Sequence, residues 1–135
     1  MIETDRVSSK QFVQQILLEE FGQGFQRRGR YPYMFENKNR LVYFQNFNAA
    51  YDNAWYRLGS IARQILATSS KESYVCFTIP VENEYYLIPY KDIEKRAKNI
   101  GWKRSDIEVN IDRLRSHWRE LEWDLVDCKK RLKLA

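Results

Sequence analysis

The sequence predicts an α+β fold: a small mixed sheet covered by helices, followed by a long heptad-patterned C-terminal helix. Three observations carry the prediction. Apolar residues recur at helical spacing near the N-terminus and again in the middle of the chain. Short apolar, aromatic-rich runs bounded by turn residues lie between those stretches. From Ile107 to Leu132 apolar residues then advance in alternating steps of four and three.

Taken in order, the first helix opens at Ser8, with Gln11 placed to answer it in a capping box. Phe12, Val13, Ile16, Leu17 and Phe21 form its apolar face and Gly22 ends it. Residues 23–30 read as a loop or a first edge strand. Residues 31–35 alternate as a strand, with Pro32 favouring an edge or a strand start. Residues 36–40 have the composition of a hairpin turn, and 41–47 form the partner strand. Tyr51, Ala54, Trp55, Leu58, Ile61, Ala62 and Ile65 then suggest one long helix over 48–68. The near-continuous apolar run 74–79 reads as a strand buried on both faces, and 85–88 as the next strand. A short basic helix over 92–100 ends at Gly101.

The last helix starts at Ser105, with Glu108 three residues on. Its seam places Ile111, Trp118, Leu125 and Leu132 at a, and Ile107, Leu114, Leu121 and Cys128 at d. Residues 1–104 form the core domain on this reading. Residues 105–135 form the helix, either in the same unit or as a dimerisation arm. Ile107, Ile111, Leu114, Trp118, Leu121 and Leu125 are the self-association candidates.

Composition narrows the function. A 44% apolar chain with few Gly and Pro has the material for a core. The formal charge of +5 raises the prospect of an anionic partner. Cys76 and Cys128 sit in apolar contexts and read as buried hydrophobes, without a disulfide framework. The polar start, Met1 to Arg6, is no signal peptide, and no apolar stretch approaches membrane-spanning length. The expectation is a cytoplasmic protein with no membrane partner. A single histidine, His117, and two cysteines cannot assemble the usual zinc sites. There is no glycine-rich phosphate loop. No cofactor is expected.

Three basic clusters carry the nucleic-acid reading. Arg27, Arg28, Arg30, Lys38 and Arg40 flank the first hairpin, and Tyr31, Tyr33 and Tyr43 lie beside them as stacking surfaces for unpaired bases. Lys91, Lys95, Arg96, Lys98, Lys103 and Arg104 surround the short helix, and Lys129, Lys130, Arg131 and Lys133 follow near the end. Residues 93–114 also carry marks of a helix-turn-helix. Ala97 is its small residue, Gly101 its turn glycine and Ile107 its anchor, with Lys103, Arg104 and Ser105 opening the recognition helix.

The carboxylates offer a third possibility. Glu19 or Glu20 on a helix, Glu36 near a strand end, and Gln45-Asn46-Phe47 on the next strand follow one another in order. In this order of elements the chain resembles the PD-(D/E)XK restriction-endonuclease-like fold over about two-thirds of its length. The resemblance implies that Glu20, Glu36 and Gln45 occupy the metal-binding positions. Phe47 stands where the catalytic lysine belongs, and a phenyl ring cannot orient or activate water, so the resemblance implies a degenerate site that keeps a binding platform.

The sequence thus supports a non-catalytic nucleic-acid-binding protein, DNA in the first instance, that self-associates through its C-terminal helix. Its partners are a nucleic acid and either a second copy or a helical protein. The alternatives are a protein-interaction adaptor using the heptad helix and a divalent-metal nuclease.

Overall fold

A computed structural model describes residues 9–133. The described residues are α+β, with three α-helices and two sheets. The elements are α1 (Ser9–Phe21), β1 (Gln26–Arg27), β2 (Met34–Glu36), β3 (Arg40–Asn46), β4 (Asn53–Leu58), α2 (Ser60–Thr68), β5 (Glu72–Ile79), β6 (Glu84–Pro89), α3 (Tyr90–Asn99), β7 (Ile107–Asp112), β8 (His117–Trp118), β9 (Trp123–Asp124) and β10 (Lys129–Arg131). The expected capping residue Ser8 lies outside the described residues.

The first sheet has the order β1-β2-β3-β5-β6-β10. Its one parallel pair is β3 with β5, in the register Arg40–Glu72 to Asn46–Thr78, and the chain crosses between them through β4 and α2. The second sheet is antiparallel, in the order β4-β7-β8-β9. Strand alternation sorts the first sheet's side chains into two faces. Phe35, Val42, Phe44, Cys76 and Tyr85 meet Phe12, Val13, Ile16 and Leu17 of α1 on one face. Each of those four α1 side chains contributes about 1.5–3 kcal/mol on burial. Leu41, Val75, Phe77, Tyr86 and Ile88 on the other face meet the second sheet together with α2 and α3.

Local chemistry explains several boundaries. Gly22 takes φ +93° and its N–H reaches the carbonyls of Leu17 and Leu18, both at 3.1 Å, which closes α1. The β2–β3 turn is set by Asn37, whose Oδ1 accepts from the N–H of Asn39 at 2.9 Å and of Arg40 at 2.7 Å. The turn is where the sequence put it, though its device is a side-chain acceptor rather than a positive φ at Asn. β5 and β6 contain the expected strands, and α3 contains nearly all of the expected basic helix.

The C-terminal helix is a misreading. Residues 107–131 form short strands, turns and one 3-10 turn at Val126–Cys128, and the longest helix among the described residues is α1 with 13 residues. Ile107, Val109 and Ile111 alternate into the core while Glu108 stays exposed, and β7 pairs along its full length with β4. Asp112 Oδ1 then accepts from the N–H of Leu114 and of Arg115, and Ser116 takes φ +52°, which turns the chain into β8. The supposed seam is therefore no assembly surface. Ile107, Ile111, Trp118, Leu121 and Leu125 are fully buried in the main core, whereas Leu114 is 80% exposed on a turn.

Two further expectations fail for the same reason. Residues 48–68 divide into β4 and α2 at Gly59, because Ala54 and Leu58 are buried while Trp55 and Arg57 point outward, a period of two rather than 3.6. The helix-turn-helix loses its second helix, since Ile107 belongs to β7. The strand expected at 31–35 is also displaced, to 34–36, with Tyr33 at φ +65° in the preceding turn. No described helix is long and apolar enough to cross a membrane.

Candidate nucleic-acid interface

β2 ends at the pairing of Met34 with Tyr43, so the last residues of β3 run on without a β2 partner. Beyond that edge lies β4, the outer strand of the second sheet. Two bonds tie the sheets together there. Gln45 Nε2 donates to the carbonyl of Arg57, and the Tyr56 hydroxyl donates to the carbonyl of Thr78 at 2.9 Å. Burial pushes the Tyr56 hydroxyl well above its ordinary pKa, so it stays protonated as a donor.

Two neighbouring clefts open between the sheet edges. One, of about 490 Å³, has Tyr31, Tyr43 and Arg57 on its walls with the first turn of α2 and Asp106. The other, of about 450 Å³, is lined by Tyr33, Tyr43, Trp55, Tyr56 and Arg57. Tyr43 and Arg57 belong to both, so together the clefts form one aromatic groove. Trp55 is 64% exposed. The Arg57 side chain is 71% exposed and ion-pairs with Asp106. The Arg57 guanidinium, by hydrogen bonding, holds the Asp106 carboxyl below its usual range.

The basic residues join this groove unevenly. Arg28 and Arg30 lie on the loop that also carries Tyr31 and Tyr33, which is folded by Tyr31 N–H to Arg28 O at 3.1 Å and Arg28 N–H to Met34 O at 2.7 Å. Lys103 and Arg104 lie on the loop that supplies Ser105 and Asp106 to the first cleft. Arg104 itself lies near Asp106 and Glu108 and stacks over Trp102. Among the described residues, Arg27, Arg28, Arg30, Lys38 and Lys103 have no carboxylate within ion-pair distance.

The other candidates lie elsewhere. Lys38 and Arg40 are at the far end of the β2–β3 hairpin, where Arg40 pairs with Glu72 at 3.2 Å and lies over the Phe21 ring. Lys95 and Lys98 are exposed on α3, while Arg96 is occupied by the carbonyls of Leu121 and Glu122. Lys129, Lys130 and Arg131 form β10, five strand spacings from β1 across the first sheet, roughly 24 Å. All three are held by acids, Lys129 and Arg131 by Glu84 and Lys130 by Glu20. The three clusters do not merge into one basic face.

The carboxylate candidates do not converge either. Glu20 bonds to the Tyr85 hydroxyl and pairs with Lys130 at 2.8 Å on the α1 side of the sheet. Burial, and then the Glu20 hydrogen bond, push the Tyr85 hydroxyl well above its ordinary pKa. Glu36 pairs with Lys71 at 3.0 Å. Gln45 lies on the opposite sheet face from Glu20, and four residues along β3 from Leu41, the partner of Glu36, roughly 13 Å away. Among the described residues, no group of three or more His, Cys, Asp or Glu side chains is placed to hold a metal ion.

Tyr31, Tyr33 and Tyr43 were visible in the sequence as stacking candidates, but Trp55 and Arg57 were not. Both fall within the helix expected over 48–68, Trp55 on its apolar face. The alternation Ala54-Trp55-Tyr56-Arg57-Leu58 is the signal that would have turned them outward. No family model, curated protein or solved structure matches the chain.

Proposed function

We propose that the protein binds nucleic acid without cleaving it, through the groove between β3 and β4. The observation that supports this is the continuity of Tyr31, Tyr33, Tyr43 and Trp55 with two loops carrying Arg28, Arg30 and Lys103. Aromatic faces with unpaired cations on the adjoining loops match a polyanion whose charged backbone alternates with flat bases. The scattered Glu20, Glu36 and Gln45 favour binding over metal-assisted hydrolysis.

Fluorescence anisotropy of a labelled oligonucleotide at two salt concentrations tests the reading. Three or four phosphate contacts give a log–log salt slope of about −2 to −4. Arg28→Glu with Arg30→Glu weakens binding at low salt and flattens the slope. Absence of binding at low salt, or binding indifferent to salt, removes the proposal.

A protein partner is the second reading. It is favoured by the exposure of Trp55 and Ile61 in the lining of the same groove. Such a complex would bury Trp55 with little dependence on salt.

A further inference from the structure

We infer that the ligand of the β3–β4 groove is an unpaired strand, which places consecutive bases in the two clefts on either side of Tyr43. This rests on the nucleic-acid reading above and specifies its substrate class.

The lining of the groove carries the inference. Both clefts are open depressions between the sheet edges, and aromatic side chains line them. A duplex offers its phosphates and groove edges outward and keeps its base faces stacked inside, so it cannot stack bases on these rings. An unpaired strand exposes both faces of every base. Each cleft lies within the roughly 300–1,000 Å³ range of small-ligand sites, which leaves room for one base. Tyr43 and Arg57, common to both, stand where the link between two neighbouring nucleotides crosses from one cleft to the other.

Charge fixes what goes where. Asp106 lies in the wall of the first cleft and opposes a phosphate there, so that cleft takes a base. Arg57, paired with Asp106 but with most of its side chain in solvent, is the cation nearest the linking phosphate and would exchange part of that pair for it, while the loops of Arg28, Arg30 and Lys103 would meet the flanking ones. Trp55 is the most exposed ring lining the groove, at 64%, and it packs against no other ring among the described residues. A base stacked on it costs the protein no internal contact.

The test compares a thirty-nucleotide oligothymidylate with the duplex it forms with oligoadenylate, kept below its melting temperature and followed by tryptophan fluorescence and anisotropy at low salt. The single strand binds at least about tenfold more tightly and quenches fluorescence, and the quench disappears in Trp55→Phe. Trp55→Ala weakens single-strand binding about tenfold, the worth of one stacked base. Trp55 is exposed, so its variants keep the fold, which far-UV circular dichroism checks. Equal or tighter binding of the duplex overturns the inference while leaving the nucleic-acid reading intact. Failure of both probes to bind overturns both. Unchanged single-strand affinity in Trp55→Ala overturns the stacking geometry.

Discussion

Leu114 and Leu121 stand one heptad apart, and a helical seam would make them equivalent. The fold makes them opposites, and aspartate at each position separates the two descriptions. Leu114 is 80% exposed on the β7–β8 turn, and Leu121 is fully buried in the main core. Leu114→Asp trades one solvated side chain for another and changes stability by no more than about 0.5 kcal/mol. Leu121→Asp first loses a buried leucine, worth about 2–5 kcal/mol when truncated. It then leaves a carboxyl in an apolar site, which adds several kcal/mol unless the group takes a proton. A domain of this length has a total stability of roughly 7–20 kcal/mol, so Leu121→Asp consumes much or all of it. Urea unfolding followed by circular dichroism, with size-exclusion chromatography of each variant, measures the contrast. Two variants with the same midpoint, or two that lose only a dimer, would refute the placement of this segment in the core.

Two further outcomes follow from the ion pairs. Glu84 is 6% exposed and meets Arg113 at 3.2 Å, Arg131 at 3.0 Å and Lys129 at 3.7 Å, but Arg113 keeps Glu82 at 3.1 Å and Arg131 reaches solvent, so Glu84→Ala costs about 1–3 kcal/mol in thermal or urea unfolding. A loss below 1 kcal/mol would show that these cations find solvent freely. Asp106 titrates below its ordinary value because of Arg57. A depressed folded pKa gives stability that is present above the unfolded value, near 3.9, and is lost as pH falls through the lower folded one. Unfolding midpoints measured from pH 5 to pH 2 should therefore fall less steeply in Arg57→Ala, and parallel profiles would remove Asp106 from the acid response.

How much of this was readable depended on whether local and long-range preferences agreed. At β5 an unbroken apolar run and the neighbouring turn residues gave the same answer, and the strand lies between partners on both sides. At α1 the helical spacing matched the four residues that reach the sheet. Beyond Ile107 they disagreed. Arg, Leu and Glu favour a helix locally, no Gly or Pro interrupts the stretch, and apolar residues fall at heptad spacing. The strands there are two to six residues long and exist because β4 and Trp118 lie across from them, information absent from any local window. Val109 and Trp123 were the local warning, being apolar where a helix would face water. Asp112 and Asp124 were another, since each accepts from backbone N–H two residues on, a turn device rather than a helix interior. In the groove, the tyrosines were legible as a composition. Their meeting with Trp55 across two sheets was not, because no spacing rule connects β3 to β4.

The pairing of β10 with β6 has a consequence for biosynthesis. The nascent chain grows at about 5–20 residues per second from its N-terminal end, and Glu84 emerges long before Lys129 and Arg131 do. During that interval the β6 border lies bare and a carboxylate destined for burial waits without two of its three cations. Lys130 likewise reaches Glu20 across 110 positions of sequence. Nascent chains that stop short of residue 129 thus expose the β6 border and lack two of the cations that meet Glu84.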